Sequence, residues 1–155
     1  LRGTGGGQLA AAVTHQVGRA PSQIVINDLG GDGWVDLAVA NDYDSSVSVL
    51  SSRAGQGFDD AVTYAVGEFP IGLAAIDLNG DGRSDLVAPS NFRSDMTVLI
   101  NDGTGQFVSA AAYPIDFDAI DVVASDLDAD GDPELVVSTG IGNTLRVITK
   151  SCRTP

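Results

Sequence analysis

The chain has 155 residues, of which 43% are hydrophobic, and a formal net charge of −13 at pH 7. This composition is typical of a globular protein long enough to bury a core. Nucleic-acid binding requires clustered Lys and Arg, so eight scattered basic residues against 21 acidic ones argue against that class. No apolar run approaches the ~20 residues of a membrane-spanning helix.

Short apolar segments separated by turn residues predict an all-β protein in which one succession of strands recurs. The first predicted strands cover residues 23–27, 36–40, 46–50 and 58–66. The second set covers 71–76, 85–89, 96–100 and 107–115, and the third covers 119–125, 134–139 and 144–149. No segment shows helical periodicity with caps. Four short antiparallel strands per unit of about 45 residues are typical of a β-propeller blade.

A nine-residue acidic loop follows the first predicted strand of each unit. It begins at Asp28, Asp77 and Asp126, so the copies are 49 residues apart both times. Oxygen-bearing side chains at loop positions 1, 3, 5 and 9 suit a hard cation such as calcium. Each loop also has a Gly at position 6, which permits a tight chain reversal. The constant period indicates one structural unit repeated in tandem.

The period extends well beyond the loops. Two sets of residues share repeat positions: Leu9 with Phe58 and Phe107, and His15 with Tyr64 and Tyr113. On this period the units cover about residues 9–57, 58–106 and 107–155, as a single array cut inside a repeat at both ends. We therefore expect three four-stranded β-propeller-type blades that belong to a larger propeller or to a multichain, filamentous assembly.

The second unit is similar to the FG-GAP repeat, also called the VCBS repeat. That family forms the calcium-binding blades of integrin alpha-subunit propellers and of many secreted bacterial proteins. The matching segments are residues 66–70 (Val-Gly-Glu-Phe-Pro), 77–86 (the acidic loop and Leu86), Asn91, 98–103 (Val-Leu-Ile-Asn-Asp-Gly) and 105–107 (Gly-Gln-Phe). The resemblance extends over essentially the whole chain, and three copies in phase make it specific.

The resemblance implies that each loop joins the first two strands of a blade and binds one Ca²⁺, with up to three ions in all. The implied ligands are the side chains at positions 1, 3, 5 and 9 and the carbonyl of position 7. They are Asp28, Asp32, Trp34 (carbonyl) and Asp36 in the first loop; Asp77, Asn79, Asp81, Arg83 (carbonyl) and Asp85 in the second; and Asp126, Asp128, Asp130, Asp132 (carbonyl) and Glu134 in the third.

The three implied sites are unequal. Gly30 replaces the usual Asn or Asp at position 3, so the first site lacks one side-chain oxygen and should be the weakest. The third loop ends in Glu134, which is a methylene longer than Asp, and Pro133 stiffens its approach. A helix-loop-helix calcium hand would need a bidentate Glu at position 12. Position 12 here is apolar, which favours a β-hairpin loop; it holds Val39, Ala88 and Val137.

The sequence predicts a non-catalytic, calcium-binding repeat module that is secreted or at the cell surface, where calcium is abundant. Such a module would serve cell adhesion, recognition or assembly. Its expected partners are a protein or glycan ligand, or copies of itself through open blade edges. Two alternatives remain open: a structural subunit of an extracellular filament, and the accessory propeller of a secreted enzyme. Trp34 could lie between blades or provide an exposed platform.

Overall fold

The computed structural model describes residues 11–115 and 118–149, with the side chains of residues 110 and 111 excepted. Within these residues the regular secondary structure is entirely β, as predicted. The strands are β1 (Pro21–Asn27), β2 (Asp36–Asn41), β3 (Ser46–Leu50), β4 (Val62–Ala65), β5 (Ala74–Ile76), β6 (Asp85–Pro89), β7 (Asp95–Asn101), β8 (Phe107–Pro114), β9 (Ala119–Ser125), β10 (Glu134–Thr139) and β11 (Leu145–Ile148).

The strands form three antiparallel sheets in which neighbours in sequence are neighbours in space. We name them blade 1 (β1-β2-β3-β4), blade 2 (β5-β6-β7-β8) and blade 3 (β9-β10-β11). Blades 1 and 2 are four-stranded, and within the described residues blade 3 has three strands. In blades 1 and 2 the outermost strand, β4 or β8, pairs only with the third strand. The sheets are therefore up-and-down meanders of propeller-like form.

Two strands are shorter than predicted by three residues or more. The predicted strand 58–66 is reduced to β4, because Phe58 makes only an isolated bridge to Ser52. The predicted strand 71–76 is reduced to β5, at a point where the chain runs close against blade 3. A Cβ added to Gly72 would lie 2.8 Å from the Cα of Asp121. The position of the chain at Gly72 is thus set by packing against blade 3 rather than by hydrogen bonds to a neighbouring strand.

Blade 2 is buried on both faces. On β6, Leu86 and Ala88 belong to the core shared with blade 1, whereas Val87 belongs to the core shared with blade 3. This alternation follows from the two-residue period of a strand. The first core also contains Val47, Val49, Leu99 and Phe107, and the second contains Met96, Val98, Val122 and Leu135. The strands of blade 2 are continuously apolar in sequence because both faces of this sheet are buried.

The aromatic contacts between neighbouring blades recur at the repeat period. The ring of Tyr64 in blade 1 meets Phe107 of blade 2 edge-on, with centroids 5.5 Å apart. One period earlier, His15 meets Phe58 in the same way at 5.6 Å. Residues 11–18 belong to no strand, yet His15 stands to blade 1 as Tyr64 stands to blade 2. This segment lies where the outer strand of a preceding blade would lie.

Two hydrogen bonds repeat in the same register. The Gly67 N–H donates to Oγ1 of Thr97 over 3.0 Å, and the Gly18 N–H donates to Oγ of Ser48 over 3.3 Å. Each donor follows an outer-strand position, and each acceptor lies on the third strand of the next blade. The two contacts fix the segment that leads from one blade into the next.

An ion pair also repeats, but with its charges exchanged. The Arg19 Nε lies 2.6 Å from Oδ1 of Asp44, and the Arg93 Nη2 lies 2.6 Å from Oε1 of Glu68. Arg19 and Glu68 share one repeat position, and Asp44 and Arg93 share another. Each pair ties the segment before a blade to the turn between that blade's second and third strands. The hydrogen bonds from Arg19 lower the pKa of Asp44 below its usual value.

Reversing one charge of the first pair should weaken the chain slightly. We expect Arg19→Glu to lower the melting temperature, and the double variant Arg19→Glu with Asp44→Arg to restore most of the loss. The Arg19 side chain is largely exposed and the Asp44 side chain is partly exposed, so the effect should be small and should fade in 1 M NaCl. Because the pair lowers the folded pKa of Asp44, its stabilisation should be complete above about pH 4 and lost at lower pH.

Thermal unfolding of the parent and the two variants, in low and high salt, checks this prediction. An unchanged melting temperature for Arg19→Glu in low salt would show that the pair contributes nothing. The matched control is the same charge exchange at Glu68 and Arg93. In that pair the acidic residue precedes the blade and the basic residue lies in the turn, the reverse of the first pair.

Candidate metal centres

The three acidic loops occupy equivalent places in the blades. They connect β1 to β2, β5 to β6 and β9 to β10, as predicted for the first two strands of a blade. Position 1 is the first residue after the inner strand, and position 9 is the first residue of the next strand: Asp36, Asp85 or Glu134. The hydrogen-bonded pairing of the two strands therefore anchors both ends of each loop.

The carboxylate at position 1 organises its loop. Oδ1 of Asp77 accepts hydrogen bonds from the Gly80 and Asp81 N–H groups at 2.7 and 3.2 Å, and Oδ2 accepts one from Gly82 at 2.7 Å. Burial alone raises the pKa of Asp77, but these donors and the N–H of Asn79 outweigh it and lower the pKa below its usual value. Asp77 is thus ionised at neutral pH and available to a cation.

Equivalent bonds hold the other two loops. Asp28 accepts from the Asp32 and Gly33 N–H groups at 3.1 and 2.8 Å, and Asp126 accepts from Gly131 at 3.1 Å. The residue at position 5 accepts from the N–H of position 7 in each loop, at 2.9, 2.9 and 2.8 Å; these residues are Asp32, Asp81 and Asp130. The turn is therefore formed in all three copies.

The third loop brings three carboxylates together. One carboxylate oxygen from each of Asp126, Asp128 and Asp130 lies within 4.8 Å of the others, and all three side chains are exposed. Such a group of oxygen ligands fits a hard divalent cation. In the second loop the residue at position 3 is Asn79, whose Oδ1 accepts from the Asp81 N–H at 2.9 Å. The sequence marks positions 1, 3 and 5 as candidate ligands, and in the third loop the structure brings these three side chains together.

The carboxylate at position 9 is buried and has a second role. Asp85 is fully buried; its Oδ2 accepts from the Leu78 N–H at 3.1 Å and its Oδ1 accepts from the Asn101 N–H at 2.9 Å. It thereby ties the loop to the end of β7. Burial raises the pKa of Asp85; these two donors oppose the rise, and the charges of Asp81 and Asp77 add to it. Each oxygen keeps a further lone pair for a metal.

The same arrangement is found in blade 1. Oδ1 of Asp36 accepts from the Ser52 N–H at 2.7 Å, and Oδ2 accepts from Leu29 and Gly30 at 2.9 and 3.0 Å. In blade 3, Oε2 of Glu134 accepts from the Leu127 N–H at 2.8 Å. The sequence marked position 9 only as a metal ligand. Its hydrogen bonds between the loop and the end of the third strand were not predicted.

A neighbouring blade supports the first loop. Nδ2 of the buried Asn101 donates to the Leu29 carbonyl at 2.8 Å and to the Ser84 carbonyl at 3.0 Å. A Cβ added to Gly105, in the β7–β8 turn, would lie 3.6 Å from the Cα of Gly30. Sequence reasoning missed Asn101, although a polar residue at the end of the apolar run 96–100 was the available signal. Blade 2 thus supports the first loop, in which Gly30 provides no side-chain oxygen at position 3.

The first loop has room for the missing side chain. A Cβ added to Gly30 would have Oδ2 of Asp36 as its nearest neighbour, at 3.7 Å, which is ordinary contact. The third loop carries a different irregularity. Ala129 has φ +62°, where Gly31 and Gly80 have +69° and +79°. A left-handed conformation costs a residue with a Cβ about 1–2 kcal/mol, so the third loop holds some strain.

Position 7 packs on the blade's own outer turn. A Cβ added to Gly55 would lie 2.6 Å from Cζ3 of Trp34, and one added to Gly103 would lie 2.6 Å from Cζ of Arg83. Trp34 therefore covers the β3–β4 turn and is about half exposed. Of the two predicted alternatives, it has the exposed position rather than one between blades.

The second and third loops share a cleft of about 290 Å³. Asp77 lines it from blade 2, and Asp126 and Asp132 line it from blade 3. Acidic residues of neighbouring blades thus line one common space. Without cations their mutual repulsion opposes close packing of the two loops.

The fold and the loops define a tandem array of propeller-like blades, each with an acidic loop between its first two strands. The family model for the FG-GAP-like repeat matches residues 28–88 and 77–137, which together span more than two thirds of the chain. The chain belongs to this family, in agreement with the resemblance noted in its sequence. Each match begins at position 1 of an acidic loop.

A search of curated proteins found no significant match to the chain. In the part of the chain that the structure describes, no helix has the length and apolar character needed to cross a membrane.

Proposed function

We propose that this chain is a non-catalytic, extracellular recognition module whose blades are held together by bound calcium. One observation carries the proposal: three acidic loops recur in register, and in the third the oxygens of Asp126, Asp128 and Asp130 lie within 4.8 Å of one another. The family match supports a propeller-type module of this kind.

The donor set favours a hard cation such as calcium over softer transition metals. The ligands available in the loops are carboxylates, one amide and main-chain carbonyls, which are hard oxygen ligands. Under the proposal, positions 1, 3 and 5, the carbonyl of position 7 and one oxygen of position 9 hold each ion. The residues are Asp77, Asn79, Asp81, Arg83 and Asp85 in the second loop, and their equivalents in the other two.

Calcium would act first on stability. The acidic loops connect the inner strands to the second strands, and the second and third loops face a common cleft. An ion in each loop would neutralise this repulsion and fix the orientation of the turns. The loops and the exposed Trp34 would then form a defined surface for a protein or glycan ligand, in adhesion or recognition.

The test is calcium-dependent thermal stability. At a concentration 100 times Kd, each site adds about 2.7 kcal/mol, which is roughly 5–10 °C for a chain of this size. We expect calcium to raise the melting temperature of the parent by about this amount for each site that it fills. Asp81→Ala and Asp130→Ala should each remove part of the rise, and together most of it.

The matched control is Asp60→Ala, which removes an exposed carboxylate outside the loops and should leave the calcium effect unchanged. Equal calcium responses of the parent and the Asp81→Ala/Asp130→Ala variant would show the metal assignment to be wrong. Titration calorimetry of the same proteins gives the number of ions, and magnesium in place of calcium measures the selectivity.

A further inference from the structure

The turn between β7 and β8 touches two acidic loops at once. Nη1 of Arg83, at position 7 of the second loop, donates to the Asp102 carbonyl at 3.2 Å. Further along the turn, a Cβ added to Gly105 would lie 3.6 Å from the Cα of Gly30, at position 3 of the first loop. This turn of blade 2 therefore contacts both its own acidic loop and that of blade 1.

Hydrogen bonds through Asn101 join the position 9 carboxylates of these two loops. Oδ1 of Asp85 accepts from the Asn101 N–H at 2.9 Å, and Nδ2 of Asn101 donates to the Leu29 carbonyl at 2.8 Å. The Leu29 N–H in turn donates to Oδ2 of Asp36 at 2.9 Å. All four residues are buried. Three consecutive bonds thus connect a candidate ligand of the second loop to a candidate ligand of the first.

The connection depends on the side chain of Asn101 and not only on the repeat. Ser52 has the same repeat position in blade 1, and its N–H donates to Oδ1 of Asp36 at 2.7 Å, just as the Asn101 N–H donates to Asp85. The Ser52 hydroxyl accepts from the Gly55 N–H within its own turn at 3.2 Å. The main-chain bond is thus common to both blades, whereas the longer side chain of Asn101 adds the contact with the neighbouring loop.

We propose that Asn101 couples the calcium affinities of the first and second loops, so that filling the second loop raises the affinity of the first. This inference rests on the proposed function, because it takes both loops to be calcium sites. Coordination by Asp85 fixes the carboxylate that accepts from Asn101. Asn101 then holds Leu29 in place, and Leu29 holds Asp36. Order that is already present need not be supplied when the next ion binds, and the coupling is therefore positive and reciprocal.

Direct electrostatics between the two loops has the opposite sign. The candidate ligands of the second loop include three carboxylates, so their charge with one bound Ca²⁺ is −1; they are Asp77, Asp81 and Asp85. In Asp81→Ala two carboxylates remain, and their charge in the empty loop is −2. The emptied loop attracts a cation in the first loop more strongly through space. A weaker first site in Asp81→Ala is therefore the signature of the contacts between the loops.

Calcium titration followed by NMR at the loop glycines tests the coupling site by site. The amides of Gly33, Gly82 and Gly131 each donate to the position 1 carboxylate of their own loop, so their signals report the three loops separately. We expect Asp81→Ala to move the calcium midpoint of the Gly33 signal to a concentration at least about fivefold higher. An unchanged or lower midpoint would overturn the proposal.

The matched variant is Asn101→Ser, because Ser is the residue of blade 1 at this repeat position and the main-chain bond to Asp85 remains. In this background Asp81→Ala should leave the Gly33 midpoint unchanged or lower it, as charge alone predicts. A rise of the same size in the Asn101→Ser background would show that the coupling does not pass through Asn101, and would overturn the proposal.

Loss of the third site is a second control. Asp130 belongs to blade 3, which packs on the other face of blade 2 from blade 1. We expect Asp130→Ala to leave the Gly33 midpoint unchanged or lower it. A rise equal to that of Asp81→Ala would show a general effect of losing an ion, and would contradict a specific link between two loops. This comparison does not require Asn101→Ser to fold.

Hydrogen exchange measures the same link without an ion in the first loop. Asp32→Ala with Asp130→Ala leaves only the second loop able to hold calcium. Calcium should then slow the exchange of the buried Leu29 N–H more than that of buried strand amides in the same blade, and Asn101→Ser should abolish this difference. Equal slowing of all these amides, with the Gly82 signal showing that the second loop is filled, would contradict the coupling.

The outcomes separate the coupling from the function on which it rests. If calcium shifts none of the three glycine signals in the parent, calcium binding and coupling are both wrong. If the signals shift and the Gly33 midpoint is the same in the parent and in Asp81→Ala, calcium binding stands and the coupling alone is wrong.

Discussion

Asp85→Ala should destabilise the chain strongly even in EDTA. The substitution removes the fully buried carboxylate that accepts from the buried Asn101 N–H and from the partly buried Leu78 N–H. Each buried donor left unpaired costs about 1–3 kcal/mol, so the combined loss should be several kcal/mol. A chain with ordinary stability of about 5–15 kcal/mol would lose a large part of it. Urea unfolding in EDTA measures the difference.

The matched control is Asp81→Ala in the same loop, because Asp81 is exposed and its side chain accepts only hydrogen bonds from groups that water can satisfy. We expect it to cost little in EDTA and to reduce calcium binding. Asp85→Asn should be intermediate, since one amide oxygen can still accept. Equal stabilities of the parent and Asp85→Ala in EDTA would disprove the bracing role.

The pH dependence of the same residue has a defined sign. Burial holds the folded pKa of Asp85 above its unfolded value, so its ionisation opposes folding. Without calcium, the contribution of Asp85 to stability should fall as pH rises from about 4 through the raised pKa. Asp85→Asn has no such ionisation, and the stability difference between the two proteins should therefore vary with pH in this window.

Gly30→Asp should give the first loop the ligand that it lacks. The new side chain has space, since the nearest atom to its Cβ is 3.7 Å away, and Gly30 does not have a left-handed backbone. An added carboxylate ligand should raise the calcium affinity of this site on the order of tenfold, or about 1.4 kcal/mol. In EDTA the variant should be less stable than the parent, because the new charge lies near Asp36 and Asp28.

The converse substitution is the control. Asn79→Gly removes the same ligand from the second loop and should weaken that site by a similar factor. Titration calorimetry of the parent and the two single variants resolves the changes, with Asp60→Ala as the unrelated carboxylate. An unaltered affinity in both variants would mean that position 3 does not contribute to calcium binding.

Much of the fold could be predicted because the local signals agreed at every level. The 49-residue period, the short apolar runs such as that of β6 and the loop position Gly82 all favoured a β repeat. The strands 85–89, 119–125 and 134–139 were predicted with the bounds observed. The start of β5 was not, because it is set by packing against blade 3, which the local pattern does not contain.

The candidate ligands could be read from the sequence, but the contacts that support them could not. Positions 1, 3 and 5 carry oxygen atoms at a spacing that a sequence shows directly. The bonds of Asp85 to Asn101 and of Asn101 to Leu29 join residues 16 and 72 positions apart, and no short motif encodes them. The exchanged charges of Arg19 with Asp44 and Glu68 with Arg93 were visible in the sequence, but only a structure shows that they touch.

Those exchanged ion pairs bear on how a chain of near-identical units avoids misfolding. A growing repeat protein risks stacking a blade against the wrong neighbour, since all the faces are apolar and alike. If blade 2 docked on the segment that leads into blade 1, Arg19 would face Arg93; if blade 1 docked on the segment after β4, Glu68 would face Asp44. Each error opposes like charges. The exchanged polarity would thus favour the correct order of blades 1 and 2.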